Sequence, residues 1–518
     1  MRGLHDKDNT WIRLLKPALT PPSLKDNTAD VDRVIKATKK ALGAGKVRMD
    51  FSLMKKAPSF LRDHGYDVWG IAYEDGLTWR LVELLPPGGA RTLYGLAIDL
   101  GSATIVLQLL DLLEGQALEE VSLLNPQVEV GLDILTRIQF ACQDGGLEEL
   151  KSMLLEVLNR EIAGLRKKHN IKTETMAGAS VAGNTTMTHL LLGLDPYWIC
   201  REPYIPAINR PGILRAREIG LDIFPDAPVL LFPNAGSYFG GDMIAGILAS
   251  GMAQSDAVCL LVDVGTNAEV VLGNKDWLVA CAGAAGSALE GGVAEMGTMA
   301  GPGVIDRVSI DRDRGEFKIH TISDRAPVGI CGSGLIDLVA QLFLAGMIDV
   351  QGRFVKERCG SRLKETEGIN HLVVVPSGNT AAGREITLSQ TDLDRLLRSK
   401  AAMYTILTTL LDMMNLEMGD ISRFYVAGTF GSYIDPRSAI TIGMLPDLPL
   451  ETYESLGNTS LAGARKALLS QNARDMIYEI QERITYIELN VNQEFMNRFS
   501  AARFIPHTDM DLFPSVKK

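Results

Sequence analysis

Cysteine is scarce in this chain. Six occur in 518 residues, and none precedes Cys142. Cys142, Cys200, Cys259, Cys281, Cys331 and Cys359 are scattered, with no C-x-x-C pair. A chain of this size has no need of a disulfide framework, so the thiols read as the reduced thiols of a cytoplasmic protein. The seven histidines stand apart, with no H-E-x-x-H and no Cys/His metal spacing, which excludes the common zinc-site patterns. No Gly-Lys-Ser/Thr follows a glycine loop, so there is no Walker A site. A D-x-H-x-x-G cobalamin-binding signature is also lacking, so the chain is not expected to carry a corrinoid itself. Met1 to Lys25 has mixed charge and no apolar core, unlike a secretory signal. The longest uncharged run, Thr175–Leu194, is broken by Gly183, Asn184, Thr185, Thr186 and His189, so no membrane span is expected. Positive charge is not in excess. With 52 Lys and Arg against 63 Asp and Glu, the net charge is −11, which weighs against nucleic acid or an anionic membrane as partner.

What remains is an ordinary globular composition, 46% hydrophobic and 22% charged, on a chain long enough for two or three domains. Residues 1–93 are rich in charge and end in the break Pro86-Pro87-Gly88-Gly89. Val31–Leu42 has helical spacing, and Val68–Tyr73 and Thr78–Leu85 read as strands around a turn at Glu74-Asp75-Gly76. This is a small α+β domain. From Tyr94 strands alternate with amphipathic helices such as Leu147–His169 and Gly241–Met252. A second α/β half follows, with helices expected at Thr391–Met414, Ser460–Leu469 and Asn472–Ile484. The expected domains are 1–93, 94–255 and 256–518.

The boundary at 255 rests on an internal repeat. Leu96-Ala-Ile-Asp-Leu-Gly-Ser-Ala-Thr-Ile-Val-Leu107 and Leu261-Val-Asp-Val-Gly-Thr-Asn-Ala-Glu-Val-Val-Leu272 each read as strand, Asp-x-Gly-Ser/Thr turn, strand. A glycine at the turn lets backbone N–H groups approach a phosphate, and the adjacent hydroxyl adds a donor. An aspartate at the strand end is placed to hold Mg²⁺ through water. One such turn is an ordinary β-turn; two in equivalent settings suggest a split phosphate clamp and make an ATP-dependent activity the leading reading. Asp99 and Asp263 are then the metal-organising carboxylates. Gly101, Ser102, Thr104, Gly265, Thr266 and Asn267 form the phosphate-holding set.

Further motifs extend the site. Phe424-Tyr-Val-Ala-Gly-Thr-Phe-Gly431 is a strand running into a glycine loop, which suits close approach to an adenosine at Gly428 and Gly431. In the glycine-rich stretch Ala282–Gly303, Glu290 is the polar group expected to face the nucleotide. Asp242, in Asn234-Ala-Gly-Ser-Tyr-Phe-Gly-Gly-Asp242, precedes a helix. It is either a helix-end carboxylate or a group that orients the attacking water. Asn184-Thr-Thr-Met-Thr reads as a helix cap or an interdomain contact. Gly329-Ile-Cys-Gly-Ser-Gly334 reads as a hinge or an anion nest with Cys331 buried in it.

The order of phosphate loop, connecting helix, phosphate loop and adenosine loop resembles actin, the heat-shock chaperone ATPases and the acetate and sugar kinases. Within that superfamily the chain resembles the ATP-dependent reductive activators of corrinoid proteins. The segments that carry the resemblance include Leu124-Asn-Pro-Gln127, Ala182-Gly-Asn-Thr-Thr-Met187, Gly240-Gly-Asp242, Val262-Asp-Val-Gly-Thr-Asn267, Gly329–Asp337, Ala427-Gly-Thr-Phe-Gly-Ser-Tyr433, Gly443-Met-Leu-Pro446, Leu456-Gly-Asn-Thr-Ser460 and Phe504-Ile-Pro-His507. They span Tyr94 to the C-terminus. The resemblance implies duplicated ribonuclease H-like ATPase halves around a nucleotide cleft, ATP and Mg²⁺ as cofactors, a homodimer, and a corrinoid protein as partner. The implied activity supports the return of inactive Co(II) to Co(I). The family's N-terminal ferredoxin-like domain holds a cluster on four cysteines, and residues 1–93 instead resemble its linker domain. No iron–sulfur cluster is therefore expected in this chain, and electrons are expected from a separate ferredoxin-like donor.

Three rivals use the same clamp. A small-molecule kinase would use Asp242 as general base. An activator of a radical dehydratase would share a cluster across a dimer, with Cys281 and Cys331 as the pair to inspect. A nucleotide sensor would bind without appreciable turnover.

Overall fold

The computed structural model describes residues 9–88, 92–264, 268–283, 296–298, 300–312, 314–428, 434–487 and 493–516, with backbone alone at 493–496. The chain divides into two compact units: residues up to Ala249 with Ser460–Glu482, and Ser250–Thr459 with Arg483 onward.

The first unit opens with β1 (Ile12–Leu15), β2 (Val47–Met49), β3 (Trp69–Glu74) and β4 (Trp79–Leu85), in a sheet of order β1-β3-β4-β2. Helices Asp30–Leu42 and Phe51–Asp63 pack on it. Leu53, Ala57 and Leu61 recur every four residues and are buried with Val34, Ala72 and Leu81. The first helix has Asp30 and Asp32 in its first turn and Lys39 and Lys40 in its last, matching the helix dipole. It stops at Gly43, whose φ of 62° closes the C-terminus.

The next sheet holds β5 (Tyr94–Leu100), β6 (Thr104–Asp111), β7 (Gln116–Leu124), β8 (Met176–Gly183), β9 (Gly212–Arg215) and β10 (Pro228–Leu231), ordered β7-β6-β5-β8-β10-β9. β5, β6 and β7 form an antiparallel meander, while β8 and β10 add in parallel on the other side of β5. Every residue of β8 is buried, as a parallel strand covered on both faces requires. The helix Gly146–Lys168 buries Leu150, Leu154, Leu158, Ile162 and Leu165 along one face.

The second unit repeats this plan. Its strands begin with β11 (Cys259–Val264), β12 (Ala268–Gly273) and β13 (Leu278–Gly283). Two small sheets follow: β14 (Val304–Ile310), β15 (Phe317–Thr321) and β16 (Gly329–Ile330), then β17 (Leu363–Thr366), β18 (Ile369–Val375) and β19 (Ile386–Ser389). β20 (Arg423–Ala427), β21 (Tyr453–Gly457) and β22 (Ile484–Tyr486) complete the main sheet, ordered β21-β20-β11-β12-β13-β22. Again a first strand sits centrally, two strands meander antiparallel on one side, and two later strands add in parallel on the other. The repeated motif implied a duplicated fold, and this ribonuclease H-like α/β plan is the one that the resemblance implied.

The segment Ser460–Glu482 joins the first unit although it lies between β21 and β22 of the second. The Trp11 indole N–H donates to Ala467 O at 2.9 Å, and Arg474, nearly fully buried, donates to Glu74 Oε2 at 2.8 Å. These bonds dock the N-terminal sheet on the helices Thr459–Leu469 and Gln471–Arg483. Among the described residues, no helix is long and apolar enough to cross a membrane.

Candidate functional site

The two repeated aspartates occupy the same position in their sheets. Asp99 is one residue from the end of β5 and pairs with Val106 and Ala182. Asp263 is one residue from the end of β11 and pairs with Glu269 and Ala427. Each thus lies at the end of a central strand, the place where a parallel sheet presents ligands.

In the first unit the turn after Asp99 is tightly built. A Cβ on Gly101 would lie 2.4 Å from Thr104 O, so no other residue fits without moving the turn. Asn125 holds the turn from below, with Nδ2 donating to Gly101 O at 2.9 Å and its backbone N–H to Ala103 O at 2.9 Å. Its Oδ1 accepts from Gln127 N, and Gln127 Nε2 donates to Leu150 O. Beneath lies Arg137, fully buried, with Nε donating to Gly131 O and Nη2 unpartnered among the described residues. Burial lowers its pKa to about 10. Ser102 lies in the turn, and Thr104 opens β6 opposite Leu124.

Two helices begin beside this turn. Asn184 caps Thr185–Leu192 by accepting from Met187 N, so the cap reading of that motif holds. Gly241–Ser250 starts where Asn234 Oδ1 accepts from Gly241 N at 3.0 Å. A Cβ on Gly240 would lie 2.4 Å from Asn184 Cα and 2.6 Å from Asp242 Oδ1, so Gly240 permits the two helix starts to meet. Paired helix N-termini favour bound anions.

Asp242 lies in the first turn of its helix, with Oδ1 accepting from Met243 N at 2.9 Å. Desolvation raises its pKa to about 6, and the neighbouring Asp99 charge pushes the same way. Asp99 in turn accepts a hydrogen bond from Ser460 Oγ at 2.7 Å. The first unit therefore gathers Asp99, Gly101 and Asp242, together with Ser460, which sequence reasoning did not single out as a site residue.

In the second unit Gly428 follows β20 with φ 80°, and a Cβ there would lie 2.7 Å from Asp263 Oδ1. Gly265, Thr266, Asn267, Glu290 and Gly431 lie outside the described residues. Asp337, on the helix Gly332–Leu344, accepts from Val308 N and from Ser438 Oγ, both at 2.6 Å. Cys281 and Cys331 are buried, 0% and 4% exposed, and burial raises the Cys281 thiol pKa. Buried thiols are poorly placed to share a cluster across a subunit surface.

Among the described residues, no group of three or more His, Cys, Asp or Glu side chains could cage a metal. Carboxylates at strand ends beside an anion-favouring turn instead suit Mg²⁺, which keeps its waters and shares phosphate oxygens. Asp99 in the first unit and Asp263 in the second fit that donor set.

This is the duplicated α/β architecture of the actin and sugar-kinase class. Family models describe the RACo linker region at residues 9–87, the RACo middle region at 94–255, and the C-terminal domain of RACo, the ASKHA domain, at 257–517. The chain belongs to the RACo family of reductive activators of corrinoid proteins. A solved structure titled reductive activator for corrinoid, iron–sulfur protein is 38% identical, covers 98% of this chain and 81% of its own, and has a TM-score of 0.90. The corrinoid activation enzyme RamQ of Eubacterium limosum is 29% identical over 459 residues, 87% of this chain and 76% of its own. The reductase of a Co(II) methylated amine-specific corrinoid protein from Methanosarcina barkeri is 24% identical over 442 residues, 78% of this chain and 76% of its own.

Proposed function

We propose that this chain hydrolyses ATP to drive reductive activation of a corrinoid protein, returning inactive Co(II) to Co(I) for methyl transfer. The observation that carries the reading is the equivalence of Asp99 and Asp263 at the ends of matched strands, in a chain of the RACo family. The cobalt centre belongs to the partner and is the substrate.

The residues divide the work. The Gly101–Ser102 turn and the starts of helices Thr185–Leu192 and Gly241–Ser250 bind phosphate oxygens through backbone N–H groups. Gly265, Thr266 and Asn267 take the equivalent part in the second half, and Gly428 and Gly431 flank the nucleoside. Asp99 and Asp263 would hold Mg²⁺, whose charge would offset that of the phosphates. Asp242 positions the attacking water. With a pKa of about 6 it is ionised at neutral pH and close to the optimum for a base. The water oxygen bonds to the γ-phosphorus, the β–γ bridging P–O bond breaks, and the water proton passes to Asp242.

Reduction of Co(II) is uphill with ordinary donors, so ATP must bias a two-state equilibrium of the activator and its partner. Inverting a 1:99 ratio takes about 5.5 kcal/mol of differential binding. The electron source in this reading is a separate ferredoxin-like protein. A cytoplasmic homodimer completes the reading.

The test is ATP turnover by anaerobically purified protein with and without an oxidised corrinoid protein encoded nearby. Wild type and Asp263→Ala run in parallel, and a reduced ferredoxin is added to follow Co(I) by absorbance. Stimulation lost in the variant, with Co(I) formed only when ATP is present, is the expected result. Stimulation by a small metabolite instead of a corrinoid protein would move the assignment to a kinase.

A further inference from the structure

Ser460 follows Asp99 by most of the chain, yet its hydroxyl donates to Asp99 Oδ1 at 2.7 Å and is almost wholly buried there. It is the second residue of the helix Thr459–Leu469, and that helix is tied to the first unit along its length. A Cβ on Gly463 would sit 2.2 Å from Ala245 O, so this helix lies directly on the helix Gly241–Ser250, which carries Asp242 in its first turn. Lys466 Nζ donates to Ala249 O at 2.7 Å, at the far end of the same helix. Ala467 O accepts from Trp11, and Leu468 packs over Gly95 on β5, the strand that carries Asp99. The hydroxyl is thus delivered by a rigid support rather than by a loop.

We propose that Ser460 is a positioning residue for Asp99, its hydroxyl fixing the plane of the carboxylate that orients the magnesium water of the bound nucleotide. The inference rests on the assignment of Asp99 given above. A hydroxyl on one carboxylate oxygen sets the direction of the other, and outer-shell bonds of this kind tune metal affinity without touching the metal. The chain reaches Ser460 from β21 through Gly457, which has φ 64°, and only Asn458 and Thr459 intervene. β21 pairs with β20, the strand that leads to Gly428 beside Asp263. The residue that orients the first aspartate is therefore three positions beyond a strand of the sheet that carries the second.

The experiment compares Ser460→Ala, Ser460→Thr, Asp99→Asn and Ser438→Ala with wild type. Ser438 is a matched control, since its hydroxyl also donates to a buried carboxylate, Asp337 Oδ1, within the second unit. Affinity for Mn²⁺–ADP is read by electron paramagnetic resonance, metal-free ADP affinity by calorimetry, and the Mg²⁺ needed for half-maximal turnover by ATPase assay. Ser460→Ala is expected to weaken Mn²⁺–ADP binding about tenfold and to raise the Mg²⁺ requirement similarly, with metal-free ADP binding unchanged. Ser460→Thr, which keeps the hydroxyl, is expected to stay near wild type. Ser438→Ala is expected to lower the melting temperature without changing metal affinity. Wild-type metal affinity in Ser460→Ala, alongside a loss in Asp99→Asn, overturns the role of Ser460 alone. Wild-type affinity in Asp99→Asn as well removes the assignment of Asp99 on which it rests. Should Ser460→Ala not fold, Ser460→Cys replaces it, with the same weakening expected and wild-type affinity overturning the role.

Discussion

Asp242 lies within electrostatic reach of Asp99, and the charge of Asp99 adds to desolvation in raising the Asp242 pKa to about 6. A raised pKa suits Asp242 to exchanging a proton beside a strand-end carboxylate placed to hold a cation.

The first prediction concerns pH. If Asp242 must be ionised to position water, turnover falls as pH drops through about 6, well above the range of an ordinary aspartate. Asp242→Asn should lower kcat by about a hundredfold or more and remove that acid limb. Its linkage to stability has the opposite sense. The folded state raises this pKa, so it binds the proton more tightly than the unfolded chain, and stability declines as pH rises from about 4 to about 6. Asp242→Asn should therefore melt higher than wild type at pH 7. An unchanged acid limb in the variant would exclude Asp242 as the titrating group.

A second prediction concerns Gly101. A methyl there meets Thr104 O at 2.4 Å, a clash with backbone that no rotamer relieves. Gly101→Ala should cost about 1–3 kcal/mol, as overpacking does, and raise the KM for ATP at least about tenfold by displacing the turn. Gly164, exposed on a helix with nothing near its Cβ, is the control, and Gly164→Ala should be neutral or slightly stabilising. Steady-state kinetics beside thermal melts decide it. Normal KM in Gly101→Ala would mean that the turn does not touch phosphate.

A third concerns His189. It is fully buried, with Nδ1–H donating to Thr185 O at 2.7 Å and Nε2 accepting from Ala207 N at 3.0 Å and Ile208 N at 3.4 Å. Those two acceptances require the neutral ring, and desolvation lowers its pKa. The neutral ring thus contributes stability above the unfolded value of about 6.5, and this is lost as pH falls through the folded value. Amide exchange at Ala207 and Ile208 should accelerate on acidification ahead of exchange in β8. Simultaneous loss of protection in both would show global unfolding instead.

A fourth concerns Arg474, whose Nη2 donates to Glu74 Oε2 at 2.8 Å and whose guanidinium lies over Trp11, 5.4 Å from the ring centroid. Removing one partner of a buried pair strands the other, so Arg474→Ala should cost about 3–5 kcal/mol. Arg474→Met, which keeps the stem's packing, should lose less. A double-mutant cycle with Glu74→Gln, read by denaturant unfolding, should give a coupling of at least about 1 kcal/mol. A coupling near zero would show that the N-terminal sheet is held by packing alone.

Much of the fold was legible because its signals are local. The β-branched run into Asp-x-Gly-Ser/Thr marks β5 and β11 by composition alone, and leucines spaced by four mark the helix Gly146–Lys168. A second repeat was equally readable and went unused. Val181-Ala182-Gly183 closes β8, Val426-Ala427 closes β20 ahead of Gly428, and the alanines pair in register with Asp99 and Asp263. The helix Phe51–Asp63 was not anticipated, since Pro58 within it is a breaker that this context tolerates. Cys281 and Cys331 could not be ranked by exposure, because a small residue in an apolar run looks the same in a core strand and at a helix start.

The sequence by itself determined the class of this protein. Duplicated strand motifs, the glycines that follow them and acidic residues at strand ends are features of short local segments, so they are readable as motifs. The tertiary structure alone decided which side chains meet. It brought Ser460 to Asp99, raised the pKa of Asp242, set Asn125 under Gly101, and returned Ser460–Glu482 to the first unit. Each depends on contacts between residues far apart in the chain, and on desolvation, which belongs to the packed interior and to no residue singly.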